Sequence, residues 1–314
     1  MKRTYYYQQI DCQLAYYNEY LKGIASNNGT FKGKPREFVL GKQDSCYNLY
    51  SSLITGTDNV LDYFNTHNIV WWGENQKSKL PSGHLVSSQV HCLNHLFSLR
   101  KDKDAIKEIM RAATKLDIDE ILLSPLDGDG YITFEFVYKN IYLLGERHET
   151  RGANCTSIDA FVYAQLTDAR KILIPIEWKY TETYNGKEAT QKSLSHYPKR
   201  ILPSSNLKSW DALYNADPYY ELMRQTLLVE QIIKHQDCSI EADNYDYFHI
   251  MIIPDAHWEL KTAIEKNYIP KLKDASKFRI IDPKDLLAPL ASLKDKNGKI
   301  KYEDLLYYLS KRYW

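Results

Sequence analysis

Apolar residues recur at helical spacing in the first part of the chain. Residues 5–22 form a tyrosine-rich segment that predicts a helix. Residues 87–100 carry apolar positions three and four apart behind two serines, a pattern typical of a capped helix. A second helix is predicted directly after it, at 103–117. The core is therefore expected to begin with helices.

From residue 121 the pattern changes to alternating β-branched and aromatic residues, which is typical of strands. Strands are predicted in succession within residues 128–146, 155–166 and 170–182. A helix at 217–236 and a short apolar strand at 245–255 follow a polar, basic stretch. The order of helix, three strands, helix and strand predicts an α/β fold, with a mixed central sheet flanked by helices.

Linker-like composition divides the chain into three predicted regions. The segment KSKLPSG marks the end of a tyrosine-rich accessory region, residues 1–80. Residues 81–256 carry the predicted sheet and its helices. Residues 257–314 end in a further predicted helix, so they are expected to be a C-terminal extension that packs on the core.

Composition excludes several classes of protein. The 314 residues contain 41 Lys+Arg and 40 Asp+Glu, so binding of nucleic acid requires a local patch and not bulk charge. The five cysteines are scattered and form no CxxC pair, which argues against disulfides or a cysteine zinc site. The N-terminus lacks the apolar stretch of a signal peptide, and no apolar run is long enough to span a bilayer. We therefore expect a cytoplasmic protein without a membrane partner.

Three charged residues interrupt the apolar strands. Glu177 and Lys179 are two apart, so they project from the same face of a strand. If the preceding strand pairs with theirs, Asp159 reaches the same place. Two carboxylates and a backbone carbonyl suit Mg²⁺, and a lysine can offset charge on a transition state. The alternative is a buried ion pair that only stabilises the sheet.

The spacing of these residues resembles the motif of the PD-(D/E)XK nuclease superfamily. Asp159 is followed after eighteen residues by Glu-Trp-Lys at the end of a strand, and the resemblance covers roughly residues 85–255. It is closest to an uncharacterised bacterial branch, with a similar SSQ helix and IEWKYTE strand. The resemblance implies a restriction-endonuclease-like core, Asp159, Glu177 and the Trp178 carbonyl as metal ligands, and Lys179 as the catalytic lysine. Mg²⁺ is the implied cofactor, with Mn²⁺ as a substitute.

Two positions depart from that motif. Ile158 stands where the proline of the motif is expected. Pro175 lies two residues before Glu177, and proline has no N–H to donate to a sheet. Pro175 therefore predicts either a bulge in the strand or a paired strand that begins at Ile176.

Several other residues are candidates for supporting roles. They are Gln89, Glu146, Arg151, Tyr220, Arg224 and Gln225. Gln89 contacts the site or only the start of its helix, and Glu146 is a candidate additional ligand. Arg224 shares a helix face with Tyr220 and either binds a phosphate, orients a carboxylate or forms a surface salt bridge. Arg151 binds substrate phosphate or only flanks a turn.

The stretch 183–210 is a candidate nucleic-acid-binding segment. Its basic residues are Lys187, Lys192, Lys199, Arg200 and Lys208, against the single acid Glu188. Aromatic residues lie between these basic residues, as in grooves that follow a nucleic-acid strand. The alternative is a solvated loop.

These observations predict a nuclease. The expected reaction is Mg²⁺-dependent hydrolysis of phosphodiester bonds in nucleic acid, with DNA the expected substrate, by a metal-activated water. The alternative is a catalytically silent protein of the same fold that binds nucleic acid or another partner. A homodimer is left open.

Overall fold

Seven strands form a mixed central β-sheet in the computed structural model, which describes residues 4–72, 79–139, 141–146, 150–152, 155–184, 197–235 and 245–314. Two further strands, β1 and β2, form a separate ribbon. In chain order the strands are β1 Thr30–Phe31, β2 Lys34–Pro35, β3 Ile118–Leu122, β4 Ile132–Phe136, β5 Ile158–Leu166, β6 Lys171–Trp178, β7 Tyr245–Tyr247, β8 His249–Ile252 and β9 Phe278–Ile281. The predicted α/β class and mixed sheet are confirmed.

Helices flank the sheet within the same described ranges. The α-helices are α1 Tyr5–Tyr16, α2 Ser52–Thr55, α3 Val60–Thr66, α4 Ser88–Leu96, α5 Lys103–Thr114, α6 Tyr197–Ile201, α7 Tyr219–His235, α8 Trp258–Ala263, α9 Pro283–Leu287 and α10 Glu303–Arg312. Ser87 caps α4 as predicted, because its Oγ accepts a hydrogen bond from the N–H of Val90 at 3.5 Å. None of these described helices is both long enough and apolar enough to cross a membrane.

The sheet is built around the antiparallel pair β5–β6. Strands β3 and β4 both pair antiparallel with the outer edge of β5, each with a different half of it. On the other side, β7 and β8 run parallel to β6, and β9 runs parallel to β8. Strand β3 was not expected from the sequence, and β4 is shorter than the predicted strand at 128–146.

Pro175 lies within β6. The expected bulge is absent, and the expected start of pairing at Ile176 holds for the side of β6 that faces β8 but not for the side that faces β5. The pairing of β6 with β5 keeps one register from Gln165–Lys171 to Ala160–Ile176, so no bulge occurs and the strand begins before Ile176. The parallel pairing on the other edge stops at Leu173 and resumes at Ile176. Proline is tolerated there because the ladder between β6 and its parallel neighbours is interrupted at this position.

Each face of the sheet buries its own apolar cluster. Ile172, Ile174 and Ile176 of β6 face a cluster that includes α3, α4, α5, α9 and α10. Leu173 faces the opposite cluster, which includes α7 and α8. The first cluster contains side chains from all three regions of the chain that the sequence predicted, so these regions share one core.

Candidate active site

Asp159, Glu177 and Lys179 lie together at one end of the central strand pair. The last pairs of the β5–β6 register bring Ala160 opposite Ile176, which places Asp159 beside Glu177. Strand alternation directs Glu177 and Lys179 toward the face that α7 covers, since Leu173 of β6 also faces α7. Asp159 borders a small pocket with Cys92 and Leu93 of α4. Asp159 Oδ2 accepts a hydrogen bond from the backbone N–H of Trp178 at 2.7 Å.

Glu177 and Lys179 form a buried ion pair on this face. The residue Glu177 is 1% exposed and Lys179 is 7% exposed. Lys179 Nζ contacts Glu177 Oε1 and also lies 2.6 Å from Glu221 Oε2 on α7. Gln225, one helical turn further along α7, donates a hydrogen bond to Glu177 Oε2 at 2.5 Å. The lysine therefore lies between two carboxylates, and an amide holds one of them.

A third buried acid at this site, Glu135 on β4, was missed in the sequence analysis. It is 3% exposed, and its backbone adopts the left-handed conformation with φ of 49°. Non-glycine residues rarely adopt that conformation, and such strain is concentrated at functional sites. Gln89 and Ser157 donate hydrogen bonds to its two carboxylate oxygens, at 2.7 and 2.8 Å. The only sequence signal was an acid inside the apolar run YITFEFVY.

Gln89 contacts the site directly. Its Nε2 donates to Glu135 and to the carbonyl of Val70, the latter at 3.2 Å. Its Oε1 accepts from the backbone N–H of Trp72 at 2.9 Å. Of the two roles considered for Gln89, the structure shows the site contact.

The three acids carry raised pKa values. Burial raises the pKa of Asp159 well above its ordinary range, and the charge of Glu135 raises it further. Burial also raises the pKa of Glu177, with Asp159 and Glu221 adding repulsion. Burial raises the pKa of Glu135, although its hydrogen bonds oppose the shift. Such mutual repulsion is typical of acids that share a site.

The pKa of Lys179 shifts so as to keep its charge. Burial acts to lower this pKa, but the charges of Glu177 and Glu221 outweigh burial and hold it well above its ordinary value. One ammonium therefore remains charged among several carboxylates.

Carboxylate oxygens are the donors that a hard cation such as Mg²⁺ prefers. Asp159, Glu177 and Glu135 supply that chemistry, and the Trp178 carbonyl belongs to the residue whose N–H binds Asp159. Within the described ranges, however, no three His, Cys, Asp or Glu side chains are arranged closely enough to hold an ion by themselves. A cation at this site would need water molecules to complete its coordination.

Arg224 and Glu146 form a buried ion pair beside the site. Their side chains are 15% and 7% exposed, so the alternative of a surface salt bridge was wrong. Arg224 also donates to the hydroxyl of Tyr220 at 3.0 Å, and Glu146 accepts from the backbone N–H of Thr156 at 2.8 Å. The structure thus brings Tyr220, Arg224 and Glu146 together, in contact with the loop that enters β5.

Arg151 supports the backbone of β4. Its Nε donates to the carbonyl of Glu135 at 3.2 Å, and its Nη2 contacts the carbonyl of Phe134. Its Nη1 is paired with Asp127 at 2.9 Å. These contacts hold the strand at the point where Glu135 turns into the left-handed conformation.

Two of the three acids, Glu135 and Asp159, line a large cleft. Its volume is about 1580 Å³, and its walls include Glu135, Asp159, Lys179, Glu221 and Arg224. Another part of the wall comes from the accessory region, with Tyr7, Phe31 and Lys32 among its residues. The accessory region therefore helps to form the space in front of the acids.

The predicted basic segment is only partly described. Lys187 and Lys192 lie outside the described residues. Lys199 and Arg200 are exposed on α6, and Lys199 Nζ lies 4.5 Å from the ring centroid of Trp210. Neither belongs to the described wall of the cleft.

Comparison with known proteins identifies a family. A family model described as "Restriction Endonuclease associating with ARP" matches residues 27–314. The chain belongs to this family. The match covers nearly the whole chain, including part of the accessory region and the C-terminal extension. Searches of curated proteins and of solved structures each gave no match.

Proposed function

We propose that the protein is a PD-(D/E)XK nuclease that hydrolyses phosphodiester bonds in nucleic acid, with DNA the expected substrate. Membership of a restriction-endonuclease family supports this proposal. The observation that carries it is the excess of buried acid at the wall of a large cleft. Asp159 and Glu177 lie near Lys179, which is shared with Glu221, and Glu135 lies near Asp159.

Mg²⁺, with Mn²⁺ as a substitute, is the proposed cofactor. Asp159, Glu177 and the Trp178 carbonyl would hold it, and Glu135 is close enough to Asp159 to raise its pKa. When bound, such an ion polarises a phosphoryl oxygen and lowers the pKa of its water. It would also favour the charged form of the acids, whose pKa values are raised by burial and by repulsion between carboxylates.

The chain itself orients the reacting groups. The Trp178 N–H fixes Asp159, and Gln225 fixes Glu177. Lys179 presents a permanent positive charge that can stabilise the negative charge developing on the phosphoryl group. Glu221 also binds this lysine, at 2.6 Å, which limits its motion.

The supporting residues fall into two groups. Gln89 and Arg151 position Glu135, one through its carboxylate and the other through its backbone. Arg224 lines the cleft with a guanidinium that is already neutralised by Glu146. We propose that Arg224 orients this acid and the loop before β5.

The experiment is cleavage of plasmid, duplex and single-stranded substrates with Mg²⁺, and with EDTA as the metal-free control. Asp159→Asn and Glu177→Gln should each lower the rate by about 10²–10³-fold, because each removes one ligand charge and keeps the side-chain size. Asp168→Asn is the matched control. Asp168 lies in the turn at the other end of the β5–β6 hairpin and pairs there with exposed Arg170 at 2.8 Å, so its loss should not change the rate.

The second candidate function is a silent nucleic-acid-binding protein. The absence of a three-ligand group among the described His, Cys, Asp and Glu residues favours it. Wild-type protein that binds oligonucleotides but cuts none of them with Mg²⁺ or Mn²⁺ would establish this second function and refute the first.

A further inference from the structure

Trp72 is a tryptophan with an exposed ring at the edge of the acidic site. The residue is 53% exposed and lines the cleft. Its neighbour Trp71 is 4% exposed and stacks on Phe64 with ring centroids 3.9 Å apart. The chain thus anchors itself in the core through Trp71 and presents the next indole to the cleft.

Trp72 is held in place through its backbone. The backbone N–H of Trp72 donates to Gln89 Oε1 at 2.9 Å, and the Trp72 side chain lies close enough to the Glu135 carboxylate to oppose the rise in its pKa. Gln89 donates to the same carboxylate. Trp72 is therefore held at its backbone beside one of the acids, while much of its apolar surface remains in contact with solvent.

Burial does not explain why a tryptophan occupies this position, because an exposed side chain adds little hydrophobic stabilisation to the fold. A fixed, exposed aromatic ring is instead suited to stack on a flat ligand at low entropic cost. Nucleobases stack on aromatic side chains regardless of their sequence, since every base has a π face.

A nucleobase can stack on Trp72 only if no adjacent base covers the same face. Within a duplex each base face is covered by the adjacent base pair, and exposing it costs unstacking energy. Glu135 is also nearly buried, at 3% exposure, in a cleft whose walls include residues of the accessory region. An unpaired strand can enter such a cleft more easily than a rigid duplex.

We propose that Trp72 stacks on an unpaired nucleobase beside the reacting phosphate, so that the site takes single-stranded nucleic acid. This inference rests on the proposed nuclease function and adds the class of substrate to it. The cleft also contains Lys32, whose Nζ lies 5.2 Å from the Phe31 ring centroid and can contact the phosphates of the same strand. DNA and RNA strands share the chemistry that this platform recognises.

The test is equilibrium binding of labelled oligonucleotides to the full chain, followed by anisotropy with Ca²⁺ in place of Mg²⁺. Trp72→Ala should weaken binding of single-stranded DNA or RNA by about 5- to 150-fold, which corresponds to the loss of one base–aromatic stack. Binding of a blunt duplex of the same sequence should change by less than about 3-fold. Trp72→Phe retains a ring and should keep most of the single-strand affinity.

Trp258 provides a matched control. It is 61% exposed at the start of α8 and lies outside the described wall of the cleft, so Trp258→Ala should not change the affinity. Equal effects of the two alanine substitutions would overturn the inference. An equal loss for single strands and duplexes would overturn the single-strand assignment, and separate arms with DNA and RNA show which strand is preferred.

A single abasic position moved along the oligonucleotide gives a sharper result. At the stacked position, removal of the base should weaken wild-type binding as much as Trp72→Ala does, and the two changes together should cost no more than either alone. Additive losses at every position would refute stacking. If wild-type protein cuts duplexes and Trp72→Ala leaves both binding and cutting unchanged, this inference fails while the nuclease proposal stands. A wild type that binds no polynucleotide refutes both.

Discussion

The helical segment of residues 88–100 contacts a cluster of charged side chains at each of its ends. The two clusters differ in their balance of positive and negative charge. At its end, Arg100 is 1% exposed and binds Asp58 and Asp129, each through two hydrogen bonds. Lys101 adds a second positive charge within 3.1 Å of Asp58. Two cations thus face two acids. At its beginning, Gln89 contacts Glu135 in a group where several acids surround one lysine.

The pKa values of the two groups shift in opposite directions. The Arg100 guanidinium lowers the pKa of Asp129 to about 2. Burial and the charge of Glu135 raise the pKa of Asp159 well above its ordinary value. A charged group that only stabilises a fold contains its own counter-charges, and the Arg100 group does. The Asp159 group has fewer cations than acids, since Lys179 is shared by Glu177 and Glu221 and Arg151 is paired with Asp127, and such an excess of acid suits a site for an external cation.

The largest effect is expected for Lys179→Met, measured as single-turnover cleavage. An unbranched apolar side chain keeps the strand packed but removes the charge that acts on the transition state. The rate should fall by about 10²–10³-fold. Binding of the substrate in Ca²⁺ should change little, because an interaction made in the transition state alone does not contribute to ground-state affinity.

Lys101→Met is the control for this substitution. Lys101 is 49% exposed and belongs to the balanced Arg100 group, so its loss should leave the rate unchanged. Equal rates for wild type and Lys179→Met would show that Lys179 is structural, and the two charge groups would then not differ in function.

A smaller effect is expected for stabilisation by a metal ion. Mg²⁺ or Mn²⁺ at a hundredfold excess over its Kd should stabilise the wild type by about 2.7 kcal/mol, seen as a higher Tm. Asp159→Asn should abolish this increase because it removes a ligand charge. Asp129→Asn should retain it, since Asp129 binds Arg100 instead. An equal rise in Tm for wild type and Asp159→Asn would show that the metal ion does not bind at Asp159.

The sequence predicted much of the sheet and three residues of the site. Strand alternation was sufficient to place Glu177 and Lys179 on one face, because the period of a strand is two residues. The expectation that Asp159 would join them needed only the pairing of consecutive strands, which the β5–β6 register shows. Whether they hold a metal stays a prediction.

Glu135 and Trp72 escaped the sequence analysis for different physical reasons. Glu135 reaches the site through a left-handed backbone conformation inside a strand, and no residue pattern predicts that conformation. Trp72 comes from the accessory region and reaches the site through a hydrogen bond of its backbone N–H to Gln89, seventeen residues away. Long-range contacts of this kind depend on tertiary packing and leave no local signal.

In EDTA, the contributions of Asp129 and Asp159 to the free energy of unfolding should change with pH in opposite directions. Asp129 has a lowered pKa, so its favourable contribution is present above the ordinary carboxyl pKa and is lost as the pH falls toward about 2. Asp159 has a raised pKa, so the folded protein binds an extra proton between the ordinary and the raised value. Its contribution therefore becomes less favourable as the pH rises through that window.

Urea unfolding at several pH values measures this difference. Asp159→Asn should gain stability relative to wild type as the pH rises, by at most about 1.4 kcal/mol per pH unit. Asp129→Asn should lose about 0–1 kcal/mol at neutral pH, since Asp129 is 52% exposed and solvent weakens its ion pair. A pH-independent difference between Asp159→Asn and wild type would mean that Asp159 is not electrostatically strained.

The smallest effect is expected for nucleic-acid binding by Lys199 and Arg200, whose charges are exposed and lie outside the site. Both residues are on α6, and they provide a comparison with the charged clusters at the two ends of residues 88–100. If they contact phosphates, replacing both with Ser should weaken binding a few-fold and reduce the slope of log affinity against log salt by about 0.7–0.9 per lost contact. Cleavage at saturating substrate should not change. The exposed pair Lys294 and Lys296, replaced in the same way, is the control. An unchanged salt slope would assign α6 to ordinary solvated surface, and phosphate contacts would then have to come from the cleft itself.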